Sequence, residues 1–205
     1  MKELLMWGYE ALTVLLPCAL VYIVMHKRGA PVRWRRVLLL FVFAVFIAGV
    51  FYVTGTGTVY ELRYMLRMDI PCKGFNLAPF SEEINPVGYA LNMIMLVPFG
   101  FLAPFIWPKL DRLGRIALAS FSFSLLIELS QLVNYRSSDV DDLILNTIGG
   151  VLGFAFYRLY ARLTHREATQ NADAGNEPAL YIGAMFLGWF LMFNGLGAAG
   201  LLYGF

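Results

Sequence analysis

The chain has 205 residues, 59% of them hydrophobic and only 15% charged, with a formal net charge of +2 and a mean hydropathy of +0.64. Soluble domains carry about a quarter charged residues, so the composition excludes an ordinary water-soluble domain and points to a polytopic helical membrane protein. Two cysteines, Cys18 and Cys72, make neither a disulfide framework nor a zinc site.

In chain order, the first predicted span covers about residues 4–25. Its positive charges follow the apolar run, which argues for an uncleaved anchor over a signal peptide. Cys18 lies inside this span and Cys72 in a later loop, so no bridge between them is expected. Glu10, near the outer end of this span, reads as an interfacial residue or as a pocket member. The next loop, HKRGAPVRWRR, holds Lys27, Arg28, Arg33, Arg35 and Arg36. A short juxtamembrane cluster of this kind is a topology and anionic-lipid feature, and no nucleic-acid partner is expected. The second span runs over about 37–58 and ends in TGTGT, which loosens a helix.

Residues 60–87 follow outside the spans. There YELRYMLR predicts an interfacial amphipathic helix, and NLAPF, too short to span, reads as an apolar plug or re-entrant piece. The third span, about 88–106, contains Asn92. The basic link WPKLDRLGR leads to the fourth, about 116–134, and the turn NYRSSDVD joins it to the fifth, about 142–160. A polar stretch over 161–178 precedes a glycine-rich sixth span at about 179–203, whose glycines suit close helix contacts. The expected fold is all-α, a polytopic membrane bundle of about six transmembrane helices with the fourth and fifth as an antiparallel hairpin. Its organisation is an N-terminal pair of spans at 1–60, a core at 61–162, a cytoplasmic linker at 163–178 and a C-terminal span at 179–205.

Basic residues divide unequally between the two sets of loops. One set holds Lys27, Arg28, Arg33, Arg35, Arg36, Lys109, Arg112, Arg115, Arg158, Arg162 and Arg166; the other holds Lys2, Arg63, Arg67, Lys73 and Arg136. The first set is expected in the cytoplasm, so both termini and the NYRSSDVD turn are expected outside.

Polar groups inside the spans carry the functional signal, because an ionisable side chain there costs at least about 2.5–3.5 kcal/mol. At 100° per residue, Ser120, Ser124, Glu128 and Gln131 share one face of the fourth span. Asp139, Asp142, Asn146, Gly149 and Gly153 share one face of the fifth. Glu128 lies roughly 8 Å from the outer end of its helix, with Asn146 and Asn92 at similar depth. These groups predict a polar pocket in the outer leaflet.

The same residues carry a resemblance. Glu128-x-x-Gln131, then Arg136-x-x-Asp139-x-x-Asp142-x-x-x-Asn146-x-x-Gly149-x-x-x-Gly153, is similar to the motif of the VanZ-like family of bacterial membrane proteins. So are Asn76-Leu-Ala-Pro-Phe80 and Asn92 followed by Pro98-Phe-Gly-Phe101. The resemblance implies a multi-pass protein of the bacterial cytoplasmic membrane and a process: the founding member is associated with resistance to the lipoglycopeptide teicoplanin. It implies no reaction.

Each candidate has a plain structural alternative. Asp139 is equally an N-cap of the fifth helix, and Asp142 at the third helical position suits the positive end of the dipole. Gly149 and Gly153 read as packing residues, and Gln131 and the serines as helix–helix contacts. Glu128 is different, since capping does not explain a mid-helix carboxyl. Its options are a partner such as Arg136, a neutral protonated form or a wet cavity. Arg136 is placed to fold over the pocket mouth and clamp a phosphate or carboxylate.

Three functions are weighed. First stands a binding protein that sequesters or presents an envelope lipid, a lipid-linked intermediate or the lipoglycopeptide itself, with Asn92, Gln131, Arg136, Asp139 and Asn146 as ligand contacts. Second is an enzyme acting on a lipid-linked intermediate, with Glu128 and Asp142 as acid/base pair. Third is a proton-coupled transporter, which would want repeats or paired broken helices that the chain lacks. No nucleophile motif, cofactor motif or metal set is evident, and His26 and His165 both fall on the cytoplasmic side.

Overall fold

The computed structural model describes residues 2–27, 33–71, 73–81, 85–134, 136, 138–165 and 176–203. Arg28 of the basic loop, Cys72 and residues 166–175 of the linker lie outside the described residues. The fold is all-α, as expected. Among the described residues, five stretches can cross a membrane by length and composition, or six if one bent pair is a single span. They are α1 (Lys2–Lys27), α2 (Trp34–Thr54) with α3 (Val59–Arg67), α4 (Pro86–Ile106), α5 (Leu113–Gln131), α6 (Val140–Leu163), and the pair α7 (Glu177–Met192) and α8 (Gly195–Tyr203).

Local chemistry sets the boundaries. After Thr54 the chain turns at Gly55, whose φ of 61° is a left-handed conformation that suits glycine and ends α2. Thr58 and Glu61 then form a reciprocal capping box that opens α3. The Asn85 side chain caps α4 just before Pro86 at its first position. Two short strands, β1 (Phe75–Asn76) and β2 (Ser138–Asp139), pair in parallel, with Phe75 opposite Ser138 and Asn76 opposite Asp139. The NLAPF segment therefore departs from the expected plug. It is a strand and tight turn, with Leu77 72% and Phe80 52% exposed, because its asparagine and backbone engage polar groups instead of an apolar core.

Contacts divide the chain into two compact units. The first comprises Met1–Cys72, Ser130–Arg136 and Pro178–Phe205. Its interior is built from Thr13, Val14 and Cys18 of α1, a stripe of α2 through Leu40, Phe43, Ile47 and Phe51, and Tyr181, Met185 and Trp189 of α7. Trp189 packs with its ring centroid 5.5 Å from Phe51 and donates Nε1–H to the Thr56 carbonyl at 3.0 Å. Large apolar side chains such as Leu12, Leu20, Phe41 and Val45 face outward, which suits lipid rather than water. The 130–136 segment satisfies the carbonyls that α2 leaves open at its end. Gln131 Nε2 and Arg136 Nη1 both donate to Thr54 O, at 2.8 and 2.7 Å, and Asn134 Nδ2 donates to Gly55 O at 2.7 Å.

The second unit comprises Lys73–Leu129 and Ser137–Glu177. Here α4 and α6 meet backbone to backbone. A Cβ on Gly149 would overlap the Met93 carbonyl and one on Gly153 the Val97 carbonyl, so small residues one turn apart set the helix spacing. Phe99 of α4 stacks on Phe123 of α5 with centroids 5.3 Å apart. At the far end, Asp111 of the WPKLDRLGR link accepts from Tyr157 Oη at 3.2 Å and pairs with Arg158 at 3.0 Å. That link is clamped as well as basic.

Candidate functional site: an acidic cluster within the second unit

α5 and α6 run antiparallel and meet along three rungs, one helical turn apart on α5 and ending at the N-cap of α6. Ser120 lies against Gly150, Asn146 Nδ2 donates to Ser124 Oγ at 3.0 Å, and the Asp139 amide donates to Glu128 Oε2 at 3.0 Å. At the top rung Ser138 Oγ also donates to the Glu128 carbonyl at 2.6 Å. Glu128 is only 1% exposed. Its partner is thus a backbone amide rather than the arginine weighed from sequence. The bond gives the buried Glu128 carboxyl and the Asp139 amide a partner each.

The first turn of α6 supplies the remaining acids. Asp139 is the N-cap, its Oδ1 accepting from the Asp141 amide at 2.9 Å, while Oδ2 accepts from Asn76 Nδ2 at 3.4 Å. Its capping role and its place beside the cluster coexist. Asp141 is 2% exposed and accepts from the Phe80 amide at 2.9 Å and from Tyr89 Oη at 2.7 Å. Asp142 accepts from Asn92 Nδ2 of α4. The amides of the first turn and the positive end of the α6 dipole favour this concentration of negative charge. Asn146 Oδ1 and Ser120 Oγ are buried with no hydrogen-bond partner among the described residues, an uncommon state in native interiors.

Glu128, Asn92, Asp139, Asp142 and Asn146 therefore all belong to one unit, Glu128 bonded to Asp139, Asn92 to Asp142 and Asn146 to Ser124. Gln131 and Arg136 both donate to the Thr54 carbonyl at the end of α2, within the first unit. Asp141, Tyr89, Ser138 and Asn76 join the cluster without having been singled out as site residues. For Asn76 the motif match was an available signal; for Asp141 the only one was its position in a helix's first turn. Among the described residues no three His, Cys, Asp or Glu side chains are placed to hold a metal ion.

Long apolar helices around a buried polar network define the class: a multi-pass helical membrane protein. The chain matches the family model described as VanZ/LLP1 over residues 36–161, more than half its length, and it belongs to that family. It is 32% identical over 88 residues to Protein VanZ of Enterococcus faecium, an alignment that covers 42% of this chain and 54% of that protein. The chain thus spans about half the length of that curated relative. No solved structure matches it.

Proposed function

We propose that this protein serves resistance to teicoplanin-type lipoglycopeptides by holding an envelope lipid, or the antibiotic itself, at the acidic cluster between α4, α5 and α6. The process comes from the VanZ family. The mode rests on one observation: Glu128, a carboxyl 1% exposed, sits in the last turn of α5 and not in mid-helix as expected, where the negative end of the helix dipole disfavours an acid and apolar packing would cost less. The surrounding groups are carboxylates, amides and hydroxyls, which complement an amine, a polyol or peptide amides better than a phosphate. Glu128 Oε2 and both oxygens of Asp141 already hold hydrogen bonds within the protein, which leaves Asn146 Oδ1 and Ser120 Oγ, unpartnered among the described residues, as buried atoms open to a ligand. The setting we propose is the bacterial cytoplasmic membrane, with both termini and the cluster toward the outside, on the charge distribution of the loops.

The test is the susceptibility of a sensitive bacterial host with and without the protein, at verified membrane abundance, against a panel of glycopeptides with and without lipid tails. The proposal expects reduced susceptibility to the lipid-bearing compounds. Equal susceptibility across the panel contradicts it.

A further inference from the structure

A second polar feature lies wholly within the first unit, where α7 gives way to α8. The two helices are bent by 49° at a break, and the break residues Phe193 and Asn194 line a cavity of about 600 Å³. Broken backbone at membrane depth is tolerated where it is buried in protein or lines a cavity. The break is well held: Tyr9 Oη donates to the Met192 carbonyl and accepts from the Asn194 amide at 2.8 Å, and Asn194 Oδ1 caps α8 by accepting from Gly197 N at 2.9 Å.

Across the cavity stands α3. Tyr60, Arg63, Tyr64 and Arg67 recur at helical spacing and all line it. Neither Arg63 nor Arg67 has a hydrogen-bond or ion-pair partner among the described residues. The one acid in the lining, Glu61, has an oxygen committed to the Thr58 amide at 2.8 Å. Two arginines against one glutamate leave the lining with a net charge of +1. The 21 residues of α2 make about 31 Å of helix, enough to cross the hydrocarbon core. The basic face of α3 therefore falls at the margin of the membrane, at the depth of lipid head groups.

We propose that this cavity binds the phosphate head group of an anionic amphiphile. Arg63 and Arg67 supply the charge and the forked donors that phosphate oxygens accept. The first turn of α8 adds the positive end of a helix dipole, and Phe193 and Leu196 give the apolar part a wall. The site shares no residue with the acidic cluster, whose chemistry suits a different group, and it stands or falls independently of the resistance reading.

The experiment titrates the purified full chain in neutral detergent with short-chain phosphatidylglycerol or phosphatidylcholine and reads lipid retention by native mass spectrometry. Phosphatidylglycerol should be retained at least about tenfold better than phosphatidylcholine, and the double variant Arg63→Gln/Arg67→Gln should lose that preference. Glu61→Gln, which keeps the capping box, should tighten retention severalfold. Equal retention of the two lipids, or an undiminished preference in the double variant, overturns the proposal. So does displacement by millimolar inorganic phosphate alone, which would mean that the amphiphile's apolar part plays no role. A measurement on the unmodified chain covers a double variant that misfolds: phosphatidylglycerol should slow phenylglyoxal modification of Arg63 and Arg67 but not of Arg112, and equal slowing at all three overturns the site.

Discussion

Glu128→Gln separates a functional carboxylate from a packing contact. The Glu128 side chain is 1% exposed and accepts from the Asp139 amide at 3.0 Å. Glutamine keeps an acceptor oxygen of the same reach, so that bond survives and the worst structural cost is one buried N–H group, about 1–3 kcal/mol. Glu128→Ala instead leaves the Asp139 amide unpaired and opens space between α5 and α6, a loss of about 2–5 kcal/mol. At roughly 2–4 °C per kcal/mol for a chain of this size, the alanine variant should melt well below the glutamine one. Function should order differently, with both variants inactive. Thermal unfolding in detergent, membrane abundance and lipoglycopeptide susceptibility should be read on the same preparations. A glutamine variant with full function would refute the reasoning and return Glu128 to packing.

The helix spacing makes its own prediction. Gly150→Ala would press on Ser120 Oγ and should cost about 1–3 kcal/mol, recovered in part by Ser120→Gly; Gly149→Ala, which meets the Met93 backbone, should gain nothing from it. Paired melting curves decide this, and equal recovery in both would mean the two glycines share one contact. Asp139→Asn should cost only a few tenths of a kcal/mol, since asparagine caps about as well as aspartate, whereas Asp141→Asn keeps an acceptor for the Phe80 amide but turns the Tyr89 hydroxyl from donor to acceptor and exchanges two charge-assisted bonds for neutral ones, and should cost about 1–2 kcal/mol; equal melting temperatures would refute the assignment. For orientation, in a Cys72→Ser background that leaves the buried Cys18, Ser81→Cys should react with an impermeant thiol reagent on intact cells and Arg112→Cys should not. The reverse labelling would invert the topology.

The spans were readable because a long apolar run in this composition has few other uses. The pairing of α5 with α6 was readable too: a short turn forces antiparallel neighbours, and the 3.6-residue period puts Ser120, Ser124 and Glu128 on one face. Those are the residues that meet Gly150, Asn146 and Asp139. Long-range polar pairing was not readable. Asp141 finds its partners 61 and 52 residues earlier, in Phe80 and Tyr89, and its helical periodicity sets it off the face shared by Asp142 and Asn146. Gln131 and Arg136 are good donors, but their acceptor is decided by the open carbonyls at the end of α2, 77 and 82 residues away. A sequence identifies such donors without naming their acceptors. The break at Phe193 and Asn194 was not read either, because a single asparagine interrupts an otherwise apolar run there and the glycines that follow read as packing residues.

The central claim, that the acidic cluster holds a ligand, is tested most directly by mass-spectrometric comparison of the lipids that co-purify with three forms of the protein. These are the unmodified chain, Glu128→Gln, and Arg63→Gln/Arg67→Gln, each isolated from the same host at matched abundance. The account predicts at least one envelope lipid retained by the unmodified chain and by the arginine variant but lost or strongly depleted in Glu128→Gln. An identical lipid complement in the unmodified chain and Glu128→Gln, with no antibiotic binding that distinguishes them, would contradict it.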